Sequence, residues 1–151
     1  MRKPIPGFKN YECDIDGNIY TIPHTTMRLP KPFKDGTRSG KIQEHHEKGG
    51  LKTITLNKIT GYKFCCAVND ENKRVSLYQH RAVWSAFNGP IAKGYELDHK
   101  NSVRIDNRLE NLQLVTRSEN CKLVFERRKA AHEATGIPLM KIKKLQEKLK
   151  C

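Results

Sequence analysis

The chain has 151 residues, room for one domain or for two small ones sharing a core. Hydrophobic residues make up 36% of it and charged residues 30%, and 29 Lys and Arg against 16 acids leave a formal net charge of +13. That surplus calls for an anionic partner, nucleic acid first because each neutralised phosphate releases condensed counterions, while no run nears the roughly 18 apolar residues that a helical membrane span needs.

The N-terminus, Met1–Gly7, is polar and broken by Pro4 and Pro6, unlike the apolar stretch of a signal peptide. Tyr11–Ile15 and Asn18–Ile22 read as short strands around Asp16-Gly17, a dipeptide suited to a tight hairpin turn. From Pro23 to Gly50 periodicity is lost among prolines, glycines and lysines, so a long loop or basic arm is expected. Leu51–Asn57, Gly61–Val68 and Arg74–Tyr78 alternate well enough for strands, the last two flanking the polar turn Asn69–Asn72. Cys65 and Cys66 should then face opposite sides of a sheet. The spacing of Ala82, Val83, Ala86 and Phe87 predicts a short helix over Gln79–Phe87, ended near Asn88-Gly89-Pro90, with Trp84, Phe87 and Tyr95 packing in the core. Tyr95–His99 and Leu112–Thr116 are two more strands, separated by a polar loop.

Thr116-Arg117-Ser118-Glu119 has the form of a capping box, so a helix should start at Arg117 and run to about Glu133. Gly136-Ile137-Pro138 breaks it, and Leu139–Lys150 has the pattern of a final basic helix. The five cysteines (Cys13, Cys65, Cys66, Cys121, Cys151) are an odd number without a regular framework, which fits reduced thiols in a cytosol. His45-His46 and Cys65-Cys66 are adjacent pairs, without the spacing that brings two side chains to one zinc ion.

The unit strand, polar loop, strand and capped helix carries the chemistry. It brings the end of the first strand beside the first turn of the helix, so Asp98, His99 and Asn120 can share one space. An aspartate and an amide oxygen are hard ligands suited to Mg²⁺, and a neutral imidazole can take a proton from water. Together they form a minimal apparatus for phosphodiester hydrolysis.

His80-Arg81, Leu97-Asp98-His99, Asn107, Asn111-Leu112, Val115-Thr116 and Asn120, in this order and spacing, resemble the HNH endonucleases, whose core is a ββα-metal motif. Within that family the likeness is to the phage and intron-encoded homing branch. Lys3–Phe8, Tyr11 and Asp16–Tyr20 also resemble the small module that precedes the nuclease there. The resemblance implies an α+β fold with an N-terminal antiparallel β module and basic loop (1–78), a nuclease core (79–133) and a basic C-terminal helix (134–151). It implies that Asp98 and Asn120 hold the metal, that His99 is the general base, and that Asn111 braces the loop and orients His99. Many members carry histidine where this chain has Asn120, which points to labile Mg²⁺, with Mn²⁺ as a substitute, rather than Zn²⁺ or Ni²⁺.

Double-stranded DNA is the implied partner, contacted by His80, Arg81, Arg104, Arg117 and Lys122. A phage gene expressed in a bacterial cytoplasm, and a monomer or homodimer, are expected. The competing readings are a non-catalytic nucleic-acid-binding protein on the same scaffold and a non-specific degradative nuclease.

Overall fold

The computed structural model of the chain describes residues 1–28, 33–34, 37, 40–138 and 140–143. It is an α+β fold in which small antiparallel sheets are accompanied, among the described residues, by the helices α1 (Gln79–Asn88) and α2 (Arg117–Thr135). β1 (Arg2–Ile5) and β2 (Phe8–Asp14) pair around Gly7, whose φ of +79° suits a residue without Cβ. β1 is missing from the expected strands because its proline masks it. Pro4 is tolerated because β1 lies at the sheet edge, where no ladder N–H is needed from it.

The turn from β2 to β3 (Ile19–Thr21) forms where Asp16-Gly17 placed it. The Asp14 carboxylate organises it, accepting from the backbone N–H groups of Asp16 (3.1 Å) and Asn18 (2.8 Å), the Asn18 amide (2.9 Å) and the Tyr20 hydroxyl (2.8 Å). Burial opposes ionisation of Asp14, but these four donors outweigh it and hold the carboxyl below the usual range.

The expected long loop over Pro23–Gly50 contains a second ribbon, β4 (His24–Arg28) paired with β5 (Gln43–Glu47). It escapes a periodicity reading because β5 is exposed along nearly its whole length, leaving no apolar face to reveal it. The single strand expected over Leu51–Asn57 is instead divided between two sheets. β6 (Gly50–Leu51) adds to β3, and β7 (Thr55–Leu56) adds to β8 (Lys63–Val68), which pairs with β9 (Arg74–Tyr78). Cys65 is buried and Cys66 exposed, as strand alternation requires.

α1 (Gln79–Asn88) buries its first turns through Gln79, His80, Ala82 and Val83 and stops at Gly89 (φ +86°). β10 (Tyr95–His99) pairs with β11 (Leu112–Thr116), and α2 (Arg117–Thr135) follows directly. The capping box is present: Thr116 Oγ1 accepts from the Glu119 N–H (3.3 Å) and the Glu119 carboxylate accepts from the Thr116 N–H (2.8 Å). Gly136, left-handed at φ +66°, ends α2. Met140–Lys143 are helical, while Leu139 and the rest of the expected final helix lie outside the described residues. No helix among the described residues is long and apolar enough to cross a membrane.

One core joins both halves of the chain. Ile5, Tyr11, Cys13 and Ile19 from the first sheet meet Cys65, Ala67 and Leu77 from the β8–β9 pair, Ala82 and Val83 from α1, and Leu112 from β11. Trp84 and Phe87 pack against it, whereas Tyr95, expected in the core, is exposed. Burial pushes the Cys13 thiol up to about 12 and Cys65 up to about 11, so both are packing residues rather than nucleophiles. Because Ile19 is fully buried, Ile19→Ala should cost about 3 kcal/mol in urea unfolding. The fluorescence of the single tryptophan, Trp84 on α1, should report the same shifted midpoint as far-UV circular dichroism; two separate transitions would show that the core is not shared.

Candidate active site

Antiparallel pairing sets Asp98 opposite Gln113 and His99 opposite Leu112. Adjacent residues of β10 point to opposite faces. His99 therefore enters the protein interior, 4% exposed, while Asp98 turns toward α2.

On the α2 side, Asp98 is fully engaged. Arg127 grips it with two parallel hydrogen bonds, Nη1 to Oδ1 at 3.1 Å and Nη2 to Oδ2 at 2.7 Å, and Gln113 Nε2 donates to Oδ2 at 2.7 Å. Burial alone would raise the Asp98 carboxyl. The bonds from Arg127 and Gln113, with the Arg127 charge, overcome that and hold it below the usual carboxylate range. One step back on the same strand face, Glu96 accepts from the Asn120 amide at 2.7 Å. Asn120, Val124 and Arg127 follow one another at helical spacing, so a single stripe of α2 faces β10. With Tyr62, Arg104 and Arg128 they border a cleft of about 530 Å³ that also contains Asp98 and His99.

On the inner side, His99 Nε2 lies 3.0 Å from Asn107 Oδ1. Asn107 Nδ2 donates to Gln79 Oε1 at 2.8 Å, and Gln79 Nε2 donates to the Gly17 carbonyl. Tyr62 and His80 pack around the imidazole, with ring centroids 6.1 and 5.6 Å from it. Burial pushes the His80 imidazole down to about 3, helped by the nearby His99, Arg81 and Arg104, so His80 is a neutral packing ring.

Residues 77–122 match the family model of the HNH endonucleases. Residues 77–122 are an HNH domain. A stretch of 42 residues is 45% identical to Protein 3.8 of Escherichia phage T7, covering 28% of this chain and 35% of that protein, so the match spans about a third of the relative's length. The fold extends the likeness. The chain superposes on the HNH homing endonuclease I-HmuI, from a structure of DNA binding and cleavage, with a TM-score of 0.59 over 95% of this chain and 87% of that one, at 18% identity.

Within the HNH domain, Asp98, His99 and Asn120 share the cleft, but Asn111 does not meet His99. Asn111 instead braces the loop, accepting from the Asn101 N–H (3.0 Å) and donating to Asn101 Oδ1 (3.0 Å) and the Asp106 carbonyl (2.8 Å). The orienting bond expected from Asn111 comes from Asn107, four residues earlier. His80 and Arg81, paired as phosphate contacts on the sequence, are separated: His80 is buried and Arg81 exposed. Arg104 lines the cleft with its guanidinium 4.9 Å over the Tyr62 ring and bonded to the Thr60 carbonyl at 2.6 Å. Arg117 and Lys122 are exposed on the first turns of α2.

Glu96, Gln113, Arg127 and Gln79 are the residues that sequence reasoning missed. Arg127 left a usable signal, standing two helical turns after Asn120 and hence on its face. Arg127→Met should destabilise the protein by roughly 1–3 kcal/mol at neutral pH, since it strips a partly buried carboxylate of its cation. Asp98 has a lowered carboxyl pKa in the folded state. The pair's contribution is therefore present above the unfolded-state pKa and disappears as pH falls through the folded one. Urea unfolding across the acid range should show wild type and variant converging; a constant gap would mean that the ion pair is not its source.

Proposed function

We propose that the chain is a divalent-metal-dependent DNA endonuclease in which His99 activates water and Asp98 and Asn120 hold Mg²⁺. The observation that carries this reading is the convergence of Asp98, His99 and Asn120, from one strand end and one helix start, on a single cleft bordered by Arg104, Arg127 and Arg128. The HNH domain and the likeness to I-HmuI support it, and the net charge of +13 suits a polyanionic substrate.

The donor set fits Mg²⁺ rather than a softer ion. No cluster of three His, Cys, Asp or Glu side chains suited to a metal exists among the described residues, and an ion that keeps several waters and borrows phosphate oxygens needs only a carboxylate and an amide oxygen from the protein. When bound, Mg²⁺ would polarise the scissile phosphate and stabilise charge on the departing oxygen. The protein's own part is positional. His99, held from behind by Asn107, takes the proton of a water in the cleft, and that water attacks phosphorus. Arg104 and Arg128 neutralise phosphate charge at the rim. Arg127 must release Asp98 before that carboxylate can meet a cation, which leaves a guanidinium beside the phosphate. Residues 1–78 serve in this reading as the β module that meets DNA ahead of the nuclease core at 79–133. A phage origin agrees with the T7 relative.

A second reading, a DNA-binding protein without catalysis, draws on the same Asp98–Arg127 pair, because an aspartate fully satisfied by arginine needs no metal. Supercoiled plasmid and phage DNA incubated with Mg²⁺, Mn²⁺ or EDTA separates the two. Metal-dependent nicking or linearisation is expected, and His99→Ala should lower its rate by about 10²–10⁴-fold while DNA affinity stays within a factor of a few. Wild-type cutting by His99→Ala would remove His99 as the base, and tight binding without cutting of any substrate would favour the second reading. Binding should also weaken by roughly three decades between about 50 and 200 mM salt if six or more phosphates are engaged; a flat response would rule out an extended contact surface.

A further inference from the structure

We infer that Gln79 and Asn107, anchored on the Gly17 carbonyl of the N-terminal hairpin, are positioning residues that fix neutral His99 in the tautomer protonated on Nε2, leaving Nδ1 as its basic nitrogen. The inference deepens the proposed function and rests on His99 being the base there.

The direction of every bond in this chain follows from its far end. A backbone carbonyl only accepts, so the end of the Gln79 amide facing Gly17 is Nε2. Oε1 of Gln79 is then turned toward Asn107, whose Nδ2 donates to it at 2.8 Å. That leaves Asn107 Oδ1 facing His99 Nε2 at 3.0 Å. An acceptor in that place requires a proton on Nε2, and a neutral imidazole carries only one. Nδ1 keeps its lone pair and makes no hydrogen bond among the described residues.

Gln79, Asn107 and His99 are 7%, 3% and 4% exposed, so water is poorly placed to mend a broken link. Turning one amide over would set like groups face to face at both of its ends, and each buried polar group left unmatched costs about 1–3 kcal/mol. His80 supplies no competing bond: its buried Nδ1 has no partner among the described residues.

The anchor itself is keyed to the loop. Gly17 has φ +95°, and a Cβ there would lie 3.2 Å from the Asn107 carbonyl oxygen and 3.3 Å from its Cβ. Next to it, the Ile15 carbonyl accepts from the Leu109 N–H at 2.8 Å. The N-terminal module thus holds the base as well as the fold.

The test is ¹⁵N NMR of the full chain labelled at its six histidines, without metal or DNA, at a pH where imidazoles are neutral, with His99 assigned through His99→Gln. The wild type should show one Nε2–H tautomer at His99. Asn107→Asp, which keeps an acceptor toward Nε2, should retain it. Asn107→Leu and the near-isosteric Gln79→Met should give a tautomer mixture, with Gln79→Met lowering the cleavage rate by about tenfold and leaving DNA affinity unchanged. A wild-type Nδ1–H tautomer or mixture overturns the inference, as does a wild-type pattern in Gln79→Met. If the variants fail to fold, the wild-type spectrum still decides. A locked Nε2–H tautomer together with full cutting by His99→Ala would remove the base assignment and leave the relay standing.

Discussion

Consecutive side chains on a β-strand point to opposite faces, and the candidate site depends on that constraint at Asp98 and His99. The pleat separates them. His99 goes inward to a buried network of neutral amides, and Asp98 goes outward to a helix rich in cations. The register of β10 against β11 sets both environments, by putting Gln113 beside Asp98 and Leu112 beside His99. A slip of one residue would exchange the two faces and dismantle both halves of the site together.

The two sides are held by different physics. The inner side is part of the core. Gln79 opens α1, whose Ala82 and Val83 are buried, and Gly17 belongs to the hairpin that contributes Cys13 and Ile19. Burial there makes each hydrogen bond costly to lose, and the Gly17 carbonyl at the far end sets the direction of the relay. On the outer side α2 has no fully buried residue. Its place against β10 relies on the capping box, the Glu96–Asn120 bond and the Asp98–Arg127 pair. Such contacts can exchange partners at modest cost, as the proposed binding of a phosphate and a cation would require.

Elements that bury one face were legible in the sequence. The helix over Gln79–Phe87 buries one stripe and the β8 and β9 strands alternate against the core, while the apolar residues of β11 marked that strand and the Thr116–Glu119 cap named its own helix start. The β4–β5 ribbon was not legible, since β5 presents polar side chains to water on both faces. The division of Leu51–Asn57 between β3 and β8 was hidden for a related reason: each piece is only a two-residue addition, and the partner of β6 lies far back in the chain, at Tyr20 and Thr21.

By itself the sequence determined the strand–strand–helix unit, the α+β class and the grouping of Asp98, His99 and Asn120, because local periodicity, a capping box and residue order are enough for those. Which asparagine serves His99 was decided only by tertiary structure. Asn107 and Asn111 are both loop asparagines with the same chemistry, and only the packing of the loop onto the N-terminal turn sends one to the imidazole and the other to its own backbone. The partners of Asp98 were likewise a tertiary outcome for Gln113, through strand register, and for Arg127, through the docking of α2. Hydrogen-bond partners far apart in the chain depend on how separately formed elements pack; local sequence can place Arg127 on the helix face of Asn120, but not on Asp98.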